Sequence, residues 1–496
     1  MTRRRRVRMA QAALGAAALA VFGLAALSVA GTVPTPPARA MLAQTPAGDV
    51  QALIDAAAPG ATVTVPAGVH TGNIVIDRPL TLVGEPGAVL DGRQQDSVLT
   101  VSAPDVEVAN LTFVDGGRNP VGAPSGILVT RTGDRAWIHD VSIERCYLGI
   151  TVQRARDATI ERVRITGDGI ISGELHAVDD QQGEDGATEQ VHLRGDGIWL
   201  YDTAGAMVRD ADVETVRDGV YLTYGRGTTL EGTTIADSRY AIHDMYAEDV
   251  TFQGNDLRGN LSGVVLMYGG PVRILDNTIT ESGSPSTGFG VLVKDAGGVT
   301  LQGNVIADNR IGLHVDDAGR TGGDATVVEG NTIAMNQIGV LLYPSADVVF
   351  TGNGFVENTT QVTLGGQGET QAVWSVNGVG NYWSDYGGFD AQGDGTGDLA
   401  YSRSGRTSQL IANDPLLLAL ASGPAFRLLS AVEDKWAPAD PLVLDVAPQT
   451  NLESPPLRGD RRGAPVPLWL PGLLMTGSCL WLLTSARRRK EVPAHA

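Results

Sequence analysis

Gly197-Ile-Trp-Leu-Tyr-Asp202, Gly219-Val-Tyr-Leu-Thr-Tyr224, Ala241-Ile-His-Asp-Met-Tyr246 and Gly263-Val-Val-Leu-Met-Tyr268 each begin 22 residues after the one before. A fixed period of this size marks a solenoid, in which each repeat buries its apolar face only against its neighbours. Within each line, aliphatic and β-branched residues alternate with other types behind a small first residue, the pattern of a strand. Short strands at this spacing, with no helical period, define an all-β fold: a parallel β-helix solenoid with coils of about 22 residues.

Stacking sets residues one period apart directly above one another, roughly 4.8 Å apart. Ile198, Val220, Ile242 and Val264 then form one inward column. Leu200, Leu222 and Leu266 form another, with Asp244 among them, an uncomfortable place for a carboxyl. The outward columns read Trp199, Tyr221, His243, Val265 and Tyr201, Thr223, Met245, Met267. His243, Met245 and Met267 are therefore candidate metal ligands, because thioethers with an imidazole select copper(I) over magnesium or calcium. Methionines are also adaptable packing residues, so the same three side chains fit a protein contact patch equally well. Trp199, Tyr201, Tyr221, Arg239, Tyr246, Tyr268 and Lys294 make up the candidate docking surface around them, suited to a transient protein contact.

The repeat extends in both directions. Asp49 to Ala57 reads as a short helix covering the open first coil, since an edge strand needs something over it. Strands follow in Ala61–Pro66, Gly72–Ile76, Leu80–Val83 and Val98–Val101, with coil starts at Gly126, Gly149 and Gly169. An acidic, Gly-rich insertion around Glu174–Gln190 reads as a protruding loop. Beyond Gly263 the starts are Gly290, Gly312, Gly339 and Gln361, with five extra residues near Ser282–Ser286 and again near Arg320–Asp324. This makes about 13 coils between Ala61 and Gly378. Asn255, Asn277, Asn304, Asn331 and Asn353 share the spacing, and stacked asparagines hydrogen-bond along their column.

The termini carry a different chemistry. Residues 1–40 hold six arginines and no acid around an apolar run and read as a secretory signal peptide, with Ala38-Arg39-Ala40 as the cleavage site. Without those arginines the formal charge moves from −19 to −25, which argues against nucleic acid as a partner. Cys146 and Cys479 make no disulfide framework. The β-helix domain is expected over 41–436, followed by a Pro- and Asp-rich linker, 437–465. Val466–Ala486 is 21 residues without a charge, long enough to span a bilayer, and the basic cluster opening the tail at 487–496 keeps that end cytoplasmic. The body is then extracytoplasmic and anchored at its C-terminus.

Near the end of the solenoid, Asp390, Gln392, Asp394 and Asp398 in a Gly-rich run resemble the first half of a calcium loop. Tyr401 stands where the bidentate Glu belongs, so a tight polar turn competes with calcium binding. Leu416–Val432, entered through Asn413-Asp414-Pro415, reads as a helix packed on the last coil.

Taken with Arg217-Asp-Gly-Val-Tyr, Arg239-Tyr-Ala-Ile-His-Asp-Met-Tyr, Gly263-Val-Val-Leu-Met-Tyr, Gly290-Val-Leu-Val-Lys-Asp and Gly380-Asn-Tyr-Trp-Ser-Asp-Tyr, these features identify a resemblance from about Gln51 to Val446. The chain resembles the NosD family of periplasmic nitrous oxide reductase maturation proteins, right-handed parallel β-helices with carbohydrate-binding-like coils. That resemblance implies a non-enzymatic accessory role in building the copper centre of nitrous oxide reductase. The partners it implies are an ABC-type ATPase, a membrane permease and a copper chaperone lipoprotein. Asp244 departs from the pattern, standing where the family commonly carries an aromatic residue, and the C-terminal span is not something the family requires.

A different class of function, a polysaccharide lyase, hydrolase or epimerase, or a glycan-binding module, is open to the same fold. Hydrolysis needs paired carboxylates across a groove, and a lyase needs a base with charge neutralisation. Asp316 with Lys294 and His314 is the best such patch, and no aspartate pair recurs at adjacent coils on the aromatic face. Trp199, Tyr201 and Tyr221 could equally stack sugars.

Overall fold

Alternation along the chain becomes three long parallel sheets, because each coil contributes one strand to each of them. In the computed structural model the described residues are 50–167, 191, 193–283, 288–316, 325–344, 346–366, 370–403, 428, 441–453 and 455. The sheets hold 12, 13 and 12 strands, which makes twelve full coils and the start of another. Parallel crossovers of this kind take the right-handed path. The 22-residue register is kept strand by strand: Ile198 pairs with Val220, Val220 with Ile242, and Ile242 with Val264. All four side chains are fully buried, as are Leu200 and Leu222.

The first coil is closed as expected. Helix Val50–Ala56 turns Val50 and Ile54 into the core. Gln51 on the same helix caps an open strand, accepting from the Val75 amide at 2.8 Å and donating to its carbonyl at 3.0 Å. Strand Leu148–Gln153 pairs directly with Ile198–Tyr201, so no coil starts at Gly169. The Gly-Ile pair there imitates the repeat, but the interval from Gly149 to Gly197 is a single coil carrying a long excursion. That excursion, the signal peptide, the apolar 466–486 segment with its tail, and nearly all of the Leu416–Val432 helix lie outside the described residues. No helix among the described residues is long and apolar enough to cross a membrane.

The asparagine column is a continuous buried ladder. Nδ2 of each member donates to Oδ1 of the next: Asn255 to Asn277 at 2.8 Å, Asn277 to Asn304 at 3.0 Å, Asn304 to Asn331 at 2.8 Å and Asn331 to Asn353 at 3.0 Å. It runs one step beyond the sequence reading, into Asn381 at 2.9 Å. A second ladder escaped that reading: Asn309 donates to Asn336 and Asn336 to Asn358, at 3.1 and 3.0 Å. Asn260 belongs to the same corner, accepting from the Ser238 amide.

The first ladder ends on Asp445, within the stretch assigned to a linker. Residues 441–453 are instead built onto the end of the solenoid. Val443–Asp445 pairs antiparallel with Tyr401–Arg403, and Val443 and Asp445 are fully buried. Asp445 accepts from the Asn381 amide at 2.7 Å, the Trp383 indole at 3.0 Å and the Ala447 amide at 3.1 Å. Composition pointed to a linker because Pro and Asp are common in one, but this Asp is the acceptor that closes a row of buried donors. Replacing Asp445 with Ala leaves those donors unpaired and is expected to cost on the order of 3 kcal/mol in the last coils. Amide hydrogen exchange should rise around Asn353 and Asn381 while the first coils keep wild-type protection.

Asp244 sits inside the core, between Leu222 and Leu266 in register. Its Oδ1 accepts from the Ala247 amide at 3.2 Å, and Oδ2 is buried without a partner among the described residues. Burial pushes this carboxyl up to about 7, against the Ala247 hydrogen bond. In the unfolded chain it ionises near pH 4. Its cost to stability is therefore absent below that pH, grows up to the raised value and saturates at roughly 4 kcal/mol above it. Asp244→Leu should raise the unfolding midpoint clearly at pH 8 and much less at pH 4.5, as read by thermal melts at the two pH values. Equal gains at both would show that the carboxyl does not titrate in the fold.

Candidate functional site

The third sheet carries the outward columns read from the sequence. Trp199, Tyr221, His243 and Val265 lie in one register row, and Tyr201, Thr223, Met245 and Met267 in the next. The rings of the first row stack: Trp199 on Tyr221 at 6.2 Å and 8°, and Tyr221 on His243 at 4.6 Å and 16°. Met245 and Met267 are direct cross-strand neighbours, both half-buried, and the Tyr221 hydroxyl donates to the Met245 sulfur at 3.5 Å.

A second aromatic ladder runs along the adjoining corner. Tyr224 stacks on Tyr246 at 5.2 Å, and Tyr246 on Tyr268 at 5.1 Å, with interplanar angles of 14° and 16°. All three residues take left-handed backbone, with φ of 55°, 59° and 61°. Asp202 and Asp295 hold the equivalent corner in neighbouring coils, and Asp accepts that conformation more readily than a bulky residue does. Three tyrosines in a row at such a corner turn a column of rings out to solvent, exposed at 52%, 42% and 39%. Tyr224 was absent from the candidate set although it ends its line as Tyr246 and Tyr268 end theirs.

His243 is not the exposed residue that alternation suggested. It is 7% exposed, and its Nδ1 lies 2.9 Å from Oδ2 of Asp218. Arg239 grips the same carboxylate with two hydrogen bonds, at 2.8 and 2.6 Å, and lies over the Tyr240 ring. Burial pushes Asp218 up, but the hydrogen bonds from His243 and Arg239 outweigh it and hold the carboxyl at about 2. The arrangement is foreshadowed one coil earlier, where Arg217 grips Asp196 at 2.8 and 2.6 Å. Asp196, Asp218 and Arg217 are not among the candidate site residues read from the sequence, although Arg217 and Asp218 open one of the segments that carry the resemblance. The available signal was the recurrence of Asp-Gly and Arg at the 22-residue spacing, at 196/218 and 217/239.

Arg239 is thus a correction to the docking surface: its guanidinium is committed to a buried carboxylate and a ring. Lys294 belongs to the same row as Met267, but its Nζ lies 3.8 Å from Asp316. His314 shares the column of His243, three coils on. Among the described residues neither of its ring nitrogens has a hydrogen-bond partner, and burial, with Lys294 and Arg310, pushes it down to about 4.

In the Asp390 loop the described contacts are those of the tight polar turn that competes with calcium binding in the sequence. Asp390 accepts from the Gly393, Asp394 and Gly395 amides at 2.6, 3.2 and 2.8 Å. Asp394 accepts from the Thr396 amide and Asp398 from the Ala391 amide. The carboxylates fold back on the backbone of their own turn, and Gln392 contributes its backbone amide toward Asp390. Among those residues no group of three or more His, Cys, Asp or Glu could hold a metal.

Fold and site together define a parallel β-helix with an aromatic, thioether-bearing face on one sheet. Residues 178–388 match the family described as "Periplasmic copper-binding protein (NosD)". The chain is 31% identical to the "Probable ABC transporter binding protein NosD" of Stutzerimonas stutzeri, over 74% of this chain and 82% of that one. The protein of the same name from Pseudomonas aeruginosa is 30% identical over the same shares. The chain belongs to the NosD family. Among solved structures it is similar to the A-module of the mannuronan C-5 epimerase AlgE6 of Azotobacter vinelandii, at 18% identity and a TM-score of 0.39 over 65% of this chain and 93% of that one.

Removing the Arg239 guanidinium leaves the buried Asp218 charge with the His243 hydrogen bond but without its opposing cation, so Arg239→Ala should destabilise by about 3–5 kcal/mol. Lys294→Ala, at a partly exposed pair, should cost less than about 1 kcal/mol. Denaturant unfolding of the two variants beside wild type checks the contrast.

Proposed function

We propose that this chain is an extracytoplasmic accessory protein of copper delivery, anchored by its C-terminal apolar segment. It receives copper(I) from a copper chaperone lipoprotein on the third-sheet face. It acts with an ABC-type ATPase and permease in assembling the copper centre of nitrous oxide reductase. Membership in a family described as periplasmic and copper-binding supports the cargo and the compartment. Relatives named as ABC transporter binding proteins support the membrane partner.

The observation that carries the reading is the donor set of the face itself. Two thioethers stand in register on adjacent strands, beside a histidine whose Nδ1 is already engaged by a carboxylate. Soft thioethers and imidazole favour copper(I), and they offer little to magnesium or calcium. Copper here is cargo, so the ligands need only hold it long enough to pass it on. The tyrosine ladder beside Met245 and Met267 supplies flat apolar surface for a transient partner.

Anaerobic copper(I) titration of the full chain against a competing chelator tests the reading. Exchanging Met245 and Met267 together for Leu keeps the packing volume. It should weaken copper(I) binding roughly tenfold or more, the scale on which even supporting residues act at metal sites. Binding of the copper donor protein, measured on the same two samples, separates ligand from docking roles. Unchanged copper affinity removes Met245 and Met267 as ligands, and unchanged donor binding as well removes the face as the site.

A further inference from the structure

We propose that Asp218 is a positioning residue for His243, holding the imidazole with its proton on Nδ1 and leaving the Nε2 lone pair free for a soft metal ion. This rests on the copper reading of the third-sheet face, but its own test does not need copper.

The hydrogen-bond count around Asp218 decides the tautomer. Both of its oxygens accept from Arg239, and Oδ2 also faces Nδ1 of His243 at 2.9 Å. A carboxylate gripped by a guanidinium has no proton to give, so the contact to His243 exists only with Nδ1 as donor. In a neutral ring Nε2 is then the acceptor. The ring plane is fixed from two further sides, by Tyr221 stacked on its face and by Tyr240 meeting it edge-on at 5.1 Å. Turning the ring over would forfeit the Asp218 bond without a replacement among the described residues. A carboxylate behind a histidine ligand is the arrangement that orients such ligands and strengthens them as donors.

Arg239 has a second effect in this arrangement. With Oδ1 and Oδ2 both occupied, Asp218 is not offered as a hard oxygen ligand, which keeps the site selective for soft ions. The rest of the column provides an internal comparison. His314 lies in the same row, and Phe289 stands in the coil before it where Asp218 stands in the coil before His243. Phe289 meets the His314 ring edge-on at 5.0 Å, and both ring nitrogens are left without partners among the described residues. One fold position thus holds two histidines, one oriented by a carboxylate and one not.

The test is the nitrogen spectrum of the imidazoles in the full chain labelled with 15N-histidine. Only seven histidines are present, and His243→Gln and His314→Gln assign the two of interest. Long-range 1H–15N correlations in the metal-free protein should show His243 as the Nδ1–H tautomer, with His314 not held in that form. In Asp218→Asn the His243 signal should move toward the Nε2–H form and copper(I) affinity should fall 10–100-fold, while Asp218→Glu recovers part of both. An Nε2–H tautomer at His243 in the wild type overturns the proposal, as does an Asp218→Asn variant that keeps both tautomer and affinity. The wild-type spectrum decides even if Asp218→Asn fails to fold, which circular dichroism will show. A Nδ1–H ring in a chain that does not bind copper(I) would sink the copper reading and leave the positioning intact. Copper binding with an Nε2–H ring would do the reverse.

Discussion

Everything on the surface of this molecule depends on coils that cannot slip against one another. Side chains in a strand alternate, so a shift of one residue would turn each inward row outward. From Asn255 to Asn381 the asparagine ladders supply the constraint. Each Oδ1 accepts both the amide and the side-chain Nδ2 of the coil before it, as Asn277 does from Asn255 at 2.9 and 2.8 Å. Each Nδ2 also reaches a main-chain carbonyl, as Asn255 does at Leu230. A buried corner with unpaired amides would cost a hydrogen bond's worth of desolvation per coil. Any sliding of one coil over another would break several of these bonds at once, so the register of the core fixes that of the outward face.

The same register explains how an acidic protein comes to present an aromatic and thioether face. Charges near the site are consumed pairwise, one coil apart, by Asp196 with Arg217 and Asp218 with Arg239. Buried ion pairs of this kind are weak stabilisers by themselves, because desolvation offsets their attraction. Their contribution here is geometric. They fill the edge of the third sheet with groups that cannot leave, and the neighbouring rings are stacked against that fixed edge.

Where the periodicity was strict, the sequence was legible. Coil starts from Gly197 to Gln361, the inward columns, the first asparagine ladder, the buried place of Asp244 and the pairing of Met245 with Met267 all follow from one number, the period. What the period could not show was direction at the coil corners. The residues that precede each line, Asp218 before Gly219 and Tyr240 before Ala241, sit where simple alternation breaks, and Asp218 is buried there as the partner of Arg239 and His243. Arg239 and His243 therefore read as an exposed cation and an exposed ring, although each is committed to Asp218. Asp445 was hidden for a different reason: it joins the solenoid from 64 residues beyond Asn381, a distance no local pattern reports.

His243 and Asp244 put the logic of the site side by side on one strand. They are adjacent in sequence and opposite in face. The carboxyl turned inward has one amide for company and an oxygen with nothing to bind among the described residues. The imidazole turned outward has a carboxylate behind it and an aromatic ring on its face. Exchanging the two residues would put an imidazole in the core and a carboxylate on the outer face, so the chemistry of that face depends on which of them the strand turns outward. Asp218, for its part, is engaged by Arg239 and His243, so the carboxylate behind this imidazole already has its hydrogen-bond donors.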